Sequence, residues 1–253
     1  VRHLVLPGCI SDSKDVLEYL WDHFGNKIYV SIMSQYTPLP HVTAWPELNR
    51  QVTQEEYEEV IDYARFLGMS IQGIQLISGS NEELLPDFQT DFPYIATCAE
   101  LYKYLSPEIP WHWHSTAELF YMEKGQLEYT TPHGKWRFEA GMGGFLNPNV
   151  LHTSKEIKSR EGGIQLLHLF EPVLISGEAG NRMDQKYVRP LIQNSSIEMI
   201  PLSPEEPAQA ELLKKIRQAF TLSEKDWGYE FKLRQQLTDI WMELLKIAHP
   251  LMK

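Results

Sequence analysis

Turn signals recur at short intervals through residues 94–174. They are Lys124-Gly125, Pro132-His133-Gly134, the run from Gly141 to Gly144, and Glu161-Gly162-Gly163. Short runs between such signals read as strands of an antiparallel sandwich or barrel. This stretch constrains the fold more than any other part of the chain, and the text on either side of it has a different period.

Upstream, "VRHLVLPG" (1–8) reads as a buried strand that ends at a Pro-Gly turn. "SDSKDVLEYLWDHFG" follows with capping residues and a helical apolar period, stopped by Gly25. Residues 27–36 read as a second strand. Thr53 and Glu56 have the spacing of a capping box, and the helix after them carries Tyr57, Val60, Ile61 and Ala64 on one face until Gly68. Residues 71–77 read as a third strand. The order strand, helix, strand, helix, strand predicts a parallel βαβαβ sheet, a partial α/β segment. Downstream, from Ser203, two amphipathic helical segments are expected. The second carries Leu233, Leu237, Ile240, Trp241, Leu244 and Leu245 on one stripe. The expected organisation is therefore mixed: α/β over 1–89, all-β over 90–200, and α-helical over 201–253.

A chain of 253 residues holds one large domain or two of ordinary size. Its net charge of −11 argues against holding nucleic acid by its own surface, because phosphate contacts need Lys and Arg. No apolar run approaches the about 18 residues of a membrane span, and there is no signal-peptide pattern. Only Cys9 and Cys98 are present, far apart in sequence, and a cytoplasmic, reducing setting is expected. Val1 opens the sequence inside an apolar run, as expected of a cut end.

The chemistry concentrates in "PWHWHSTAELFYMEKG", which begins at Pro110. Residues two apart on a strand share a face, so His112 and His114 point one way and Trp111 and Trp113 the other. Glu118 is an even step further on. His152 follows a Gly-rich turn and an Asn147-Pro148-Asn149 corner. Three imidazoles and a carboxylate suit one divalent transition metal such as Zn, Fe, Mn or Ni. The alternative is a set of barrel histidines that hydrogen-bond inside a cavity or touch an organic ligand. No separate acid, base or nucleophile stands out, which favours binding over catalysis. Trp111, Trp113, Tyr121 and Tyr129 read as barrel packing, His133 as solvated in a turn, and His168 as a satisfied core histidine that could also face the ligand cavity.

His112, His114, Glu118 and Gly125 fill the pattern His-x-His, three residues, Glu, six residues, Gly, which resembles the first motif of the cupins. Gly141 and His152 sit at the ends of the second motif. The usual Pro and Gly of its corner are here Asn147 and Asn149. Residues 92–154, together with "HLFEPVLISG" (168–177) and "GYEFKLRQQLTDIWMELL" (228–245), resemble the sensory cupin of AraC-type transcriptional regulators. That resemblance implies a double-stranded β-helix that senses a small-molecule effector, with His112, His114, Glu118, His152 and His168 toward the ligand. It further implies C-terminal helices that pair two subunits, and DNA binding only through a further domain, since no helix-turn-helix is evident in this chain. It favours the stripe on the last helix as a dimer seam over an internal core. A metal-dependent cupin enzyme, a dioxygenase or isomerase, is the alternative.

Residues 1–89 resemble the C-terminal part of radical S-adenosylmethionine proteins of the pyruvate-formate-lyase-activating-enzyme type, which implies a remnant of a TIM-like barrel. The Cys-x3-Cys-x2-Cys loop of that family has no counterpart here, so no iron–sulfur cluster is expected, and a truncated activating enzyme is the least favoured reading. Three parallel strands and two helices would leave a sheet edge and one face open. This segment is expected to be stable only when docked on the cupin or on a second subunit.

Overall fold

A parallel pair of strands opens the chain: β1 (Arg2–Leu4) runs beside β2 (Ser31–Met33), with α1 (Ile10–Phe24) between them in sequence. The structure is a computed structural model and describes residues 1–28, 30–34, 36–38, 42, 45–69, 75–76, 80–85, 88, 91–103, 108–157 and 162–252. It divides into two units, residues 1–85 and 86–253.

In the first unit β1 is not the buried strand the sequence suggested. Arg2 and Leu4 are exposed, and the chain enters the core at Val5. Nor is α1 capped by the polar residues at its start. Its N-cap is Cys9, without a side-chain bond, and Ser13 is buried. Gly25 does stop it, at a φ of 51°. The capping box is formed as expected at the start of α2 (Gln54–Phe66). Thr53 Oγ1 accepts from the Glu56 amide at 3.2 Å, and Glu56 Oε2 accepts from the Thr53 amide at 2.9 Å. Arg50 holds the same carboxylate, and that hydrogen bond is the main reason its pKa falls to about 2. Tyr57, Val60, Ile61 and Ala64 are all buried, packed with Val5, Leu17, Val30 and Ile32.

The third strand departs from expectation. Of residues 71–77 only β3 (Gln75–Leu76) is described, and it pairs antiparallel with β4 (Glu83–Leu84) in a sheet of its own. Ser34 Oγ donates to the Leu76 carbonyl at 3.0 Å, beside the end of β2. The only parallel pairing among the described residues is β1 with β2, so the structure does not show the remnant of a TIM-like barrel.

The second unit is built from antiparallel strands. β5 (Tyr94–Glu100), β6 (Glu108–His112), β7 (Ala117–Lys124), β8 (Gln126–Thr130), β9 (Lys135–Glu139), β10 (Gly143–Leu146), β11 (His152–Ile157) and β12 (Ile164–Phe170) follow one another. After two short helices, α3 (Val173–Ser176) and α4 (Arg189–Ile192), come β13 (Met199–Leu202), α5 (Pro207–Ala219) and α6 (Tyr229–Ala248). One sheet has the order β13-β10-β7-β12-β5 and the other β6-β11-β8-β9. The β7–β8 turn requires glycine: Gly125 has a φ of 75°, and a Cβ there would lie 2.7 Å from the Gly163 Cα. Among the described residues no helix is long and apolar enough to cross a membrane.

The five-stranded sheet is buried on both faces, and the period of two along β7 shows how. Phe120 and Met122 join Leu127, Tyr129 and Phe138 of the opposing sheet in the barrel interior. Ala117 and Leu119 face the other way, with Phe145 and Phe170, onto the helices. There they meet Leu212, Leu213 and Ile216 of α5 and Leu233, Leu237, Ile240, Trp241 and Leu244 of α6. The stripe on α6 is thus the internal core, which corrects the reading of it as a dimer seam. Leu245, at its border, is only partly buried.

Candidate functional site

Register brings the histidines together. His112 ends β6 and His152 begins β11, and the two are direct partners across the strand pair. Their ring centroids lie 4.0 Å apart. His114 is two residues beyond His112, with its ring 5.2 Å from His152. The expected alternation holds: both histidines of the pair are buried, whereas Trp111 is 38 % exposed and Trp113 half-buried. One ring nitrogen from each of His112, His114 and His152 lies within 4.8 Å of the other two, so the group could hold a metal ion.

The corner before β11 explains how the chain tolerates its unusual sequence. Asn149 adopts a φ of 61°, in the left-handed region that favours glycine. Asparagine reaches this region more readily than other residues with a side chain. The Asn149 amide donates to the His114 carbonyl at 2.8 Å, and the turn leads directly into His152. Asn147, at the usual proline position, donates through its side chain to the Leu191 and Ile197 carbonyls at 3.0 and 2.9 Å.

Each imidazole is oriented by a main-chain acceptor. Nδ1 of His112 lies 2.8 Å from the Pro110 carbonyl, and Nδ1 of His152 lies 2.8 Å from the Val150 carbonyl. Nδ1 of His114 lies 3.0 Å from the Thr116 carbonyl and 2.9 Å from Thr116 Oγ1. A carbonyl can only accept, so the proton of each neutral ring resides on Nδ1 and the lone pair on Nε2. Metal-ligating histidines are held in this same way.

Glu118 closes the group from the other sheet. Its Oε2 lies 3.3 Å from His114 Nε2, and its Oε1 accepts from the Tyr129 hydroxyl at 2.6 Å. Gln165 Nε2 donates to that hydroxyl at 2.8 Å. Burial pushes His112 down to about 3, helped by neighbouring His152, and it pushes His152 down to about 4. For Glu118 burial is the largest single influence and acts upward. Hydrogen bonds from His114 and Tyr129, with the nearby His152 and His114, outweigh it and leave the carboxyl below its usual value. At neutral pH His112 and His152 are therefore neutral imidazoles beside an ionised Glu118. Imidazole nitrogens beside a carboxylate are a donor set that suits a divalent cation.

The structure does not bring His168 to this group. Its Nδ1 lies 2.7 Å from the Tyr94 hydroxyl and its Nε2 2.9 Å from the Ile216 carbonyl of α5, on the helix side of the sheet. Its placement with the ligand pocket is corrected, and the core reading describes it. His133 is 81 % exposed at Nδ1's side chain and pairs with Glu198 at 2.7 Å. Of the four aromatic residues assigned to barrel packing, Tyr129 lies in the interior, while Tyr121 packs on the helix side and Trp111 faces outward. Tyr129 as partner of Glu118, with Gln165 behind it, was not foreseen. The signal was an interior position for a phenol, which needs an acceptor when buried.

The sequence model described as "AraC-like ligand binding domain" matches residues 95–240. Among solved structures, apo ToxT from Vibrio cholerae is similar at 11 % identity and a TM-score of 0.42, over 64 % of this chain and 58 % of that one. ToxT of the same organism bound to a methylnaphthalenyl-butenoic acid is similar at 11 % identity and a TM-score of 0.39, over 60 % and 57 %. Oxalate decarboxylase of Bacillus subtilis, a protein with Mn(II) centres, is similar at 20 % identity and a TM-score of 0.25, over 31 % and 20 %. This chain thus spans little more than half of the ToxT chains it resembles. No curated protein matches. Nothing found supports the radical S-adenosylmethionine resemblance of residues 1–89, which lie outside the family match. That match spans more than half of the sequence, and the chain belongs to the family of AraC-like ligand binding domains.

Proposed function

We propose that residues 86–253 are the effector-sensing module of an AraC-like transcriptional regulator, and that sensing takes place at His112, His114, His152 and Glu118 around one divalent transition metal (Zn, Fe, Mn or Ni). The observation that carries this reading is the donor set itself. Three Nδ1 atoms are fixed by carbonyls, one nitrogen of each ring lies within 4.8 Å of the other two, and a carboxylate stands beside them. A divalent ion there would supply a Lewis-acid contact for a small polar effector, such as a sugar or a carboxylate. The chain's own part is to hold the rings in one tautomer and to keep the site dry.

The response would pass through the five-stranded sheet. Glu118 and Leu119 are neighbours on β7 that face opposite sides, the first toward the histidines and the second onto α5 and α6. A shift at Glu118 on effector binding would therefore bias the seating of the helices, and with it a DNA-binding domain attached beyond them. Pairing of two copies through these helices would use their outward faces. A cytoplasmic setting fits a chain with only two cysteines, far apart in sequence.

The test is elemental analysis of the purified protein beside a His112→Ala/His114→Ala variant. Near one equivalent of a transition metal in the wild type alone is expected. Metal in neither protein would remove the metal from this reading and leave the histidines as pocket groups.

A further inference from the structure

The Glu118 carboxylate could turn either oxygen toward the histidines, so something must fix its orientation if it is to serve a metal. The barrel interior contains a device that does this. Tyr129, on β8, donates to Glu118 Oε1 at 2.6 Å and leaves Oε2 on the side of His114. A phenol has a single hydrogen, and its direction is set by what else the oxygen meets. Gln165, on β12, gives its own N–H to that oxygen at 2.8 Å. Tyr129 gives its hydrogen to Glu118, while the same oxygen accepts the N–H from Gln165. The three side chains thus form a one-way relay across the space between the two sheets. The phenol ring is held independently of its hydroxyl: it stacks on Phe120 with centroids 4.9 Å apart, and Phe138 meets it edge-on at 5.9 Å.

We propose that Tyr129, directed by Gln165, is the positioning residue that aims Glu118 at the metal, an inference that rests on the metal-binding reading above. Tyr129 acts here through Glu118 and is not itself one of the proposed ligands. Its hydroxyl takes one carboxylate oxygen out of play and orients the other. The Phe120 and Phe138 contacts predict that Tyr129→Phe keeps the ring in place and removes the relay alone.

The experiment is a Co(II) titration of the metal-stripped full chain, followed by visible absorption, for wild type, Tyr129→Phe, Gln165→Leu and Glu118→Gln. Melting of the metal-free proteins is measured in parallel. Tyr129→Phe is expected to weaken Co(II) binding by about 10- to 100-fold, as loss of a partner behind a metal ligand does. Its Co(II) spectrum should shift toward that of Glu118→Gln, a change that a loss of stability alone would not produce. Gln165→Leu should act in the same direction, and supports the relay independently of any folding defect in Tyr129→Phe. Wild-type affinity and spectrum in both Tyr129→Phe and Gln165→Leu, beside a changed Glu118→Gln, would overturn the relay while leaving the metal site standing. A wild type that binds no Co(II) would overturn the metal reading and the relay together.

Discussion

His168 shows how little a residue type reveals until the face it occupies is known. On the sequence it could belong to the cavity or to the core, because a strand of alternating residues does not say which side is interior. Here both sides of the sheet are buried, and His168 faces the helices. Burial pushes its pKa from 6.5 to about 4. The folded protein thus keeps it neutral, while the unfolded chain binds a proton below about 6.5. Its contribution to stability is complete above 6.5 and is lost as pH falls toward about 4. His112 and His152 act in the same direction in the metal-free protein. Replacing His168 with Gln should cost about 1–2 kcal/mol at pH 7, from a disturbed pair of buried hydrogen bonds. It should also flatten the fall in stability between pH 7 and pH 5. Urea midpoints of the metal-free proteins at the two values measure this, and equal losses in both proteins would mean that His168 is not held neutral. The pair His112 and His114 was legible because parity on a strand is a strong signal, whereas Glu118 reaches them from β7 of the other sheet, beyond a turn. Tyr129 and Gln165 were not legible, because their pairing depends on a register between β8, β7 and β12 that no local pattern carries.

At the scale of elements, turns were read more securely than strand partners. Gly25, Gly68 and Gly125 all sit at positive φ where the sequence placed breaks, and the capping box of α2 formed as spaced. The parallel pairing expected of the strand over 71–77 is not what β3 makes: its partner is the antiparallel β4, a few residues on. The Asn147-Pro148-Asn149 corner departs from the expected residues, yet the conformation it needs is reached. Asn149 holds the left-handed φ of 61° and ties the turn to the His114 carbonyl. Asn149→Gly should therefore fold with stability close to wild type. Asn149→Ala, with a Cβ but no local polar partner, should lose about 1–2 kcal/mol. Denaturant midpoints of the two variants separate these outcomes. Equal stability of Ala and Gly at this position would show that the left-handed geometry imposes no constraint.

Over the whole molecule, amphipathic patterning located α6 but could not say what its apolar stripe meets. An internal core and a subunit interface need the same residues at the same spacing. The structure distinguishes them by what the stripe touches. Trp241 is 1 % exposed, meets Phe145 and Phe170 edge-on, and donates from Nε1 to the Tyr187 carbonyl at 3.0 Å. Phe145 and Phe170 belong to β10 and β12, so α6 and the five-stranded sheet share one core. Trp241→Ala should consequently cost about 3–5 kcal/mol, a large part of the about 5–15 kcal/mol that a domain has. The loss should appear in equilibrium unfolding at every protein concentration, since the contacts it removes lie within one chain. A dimer seam makes the opposite forecast. Trp241→Ala would then keep its fold, with midpoints near wild type, and sediment at half the wild-type mass. Unfolding curves at two concentrations, run beside sedimentation of both proteins, decide between the two, and the packing of Trp241 between α6 and the sheet predicts the first.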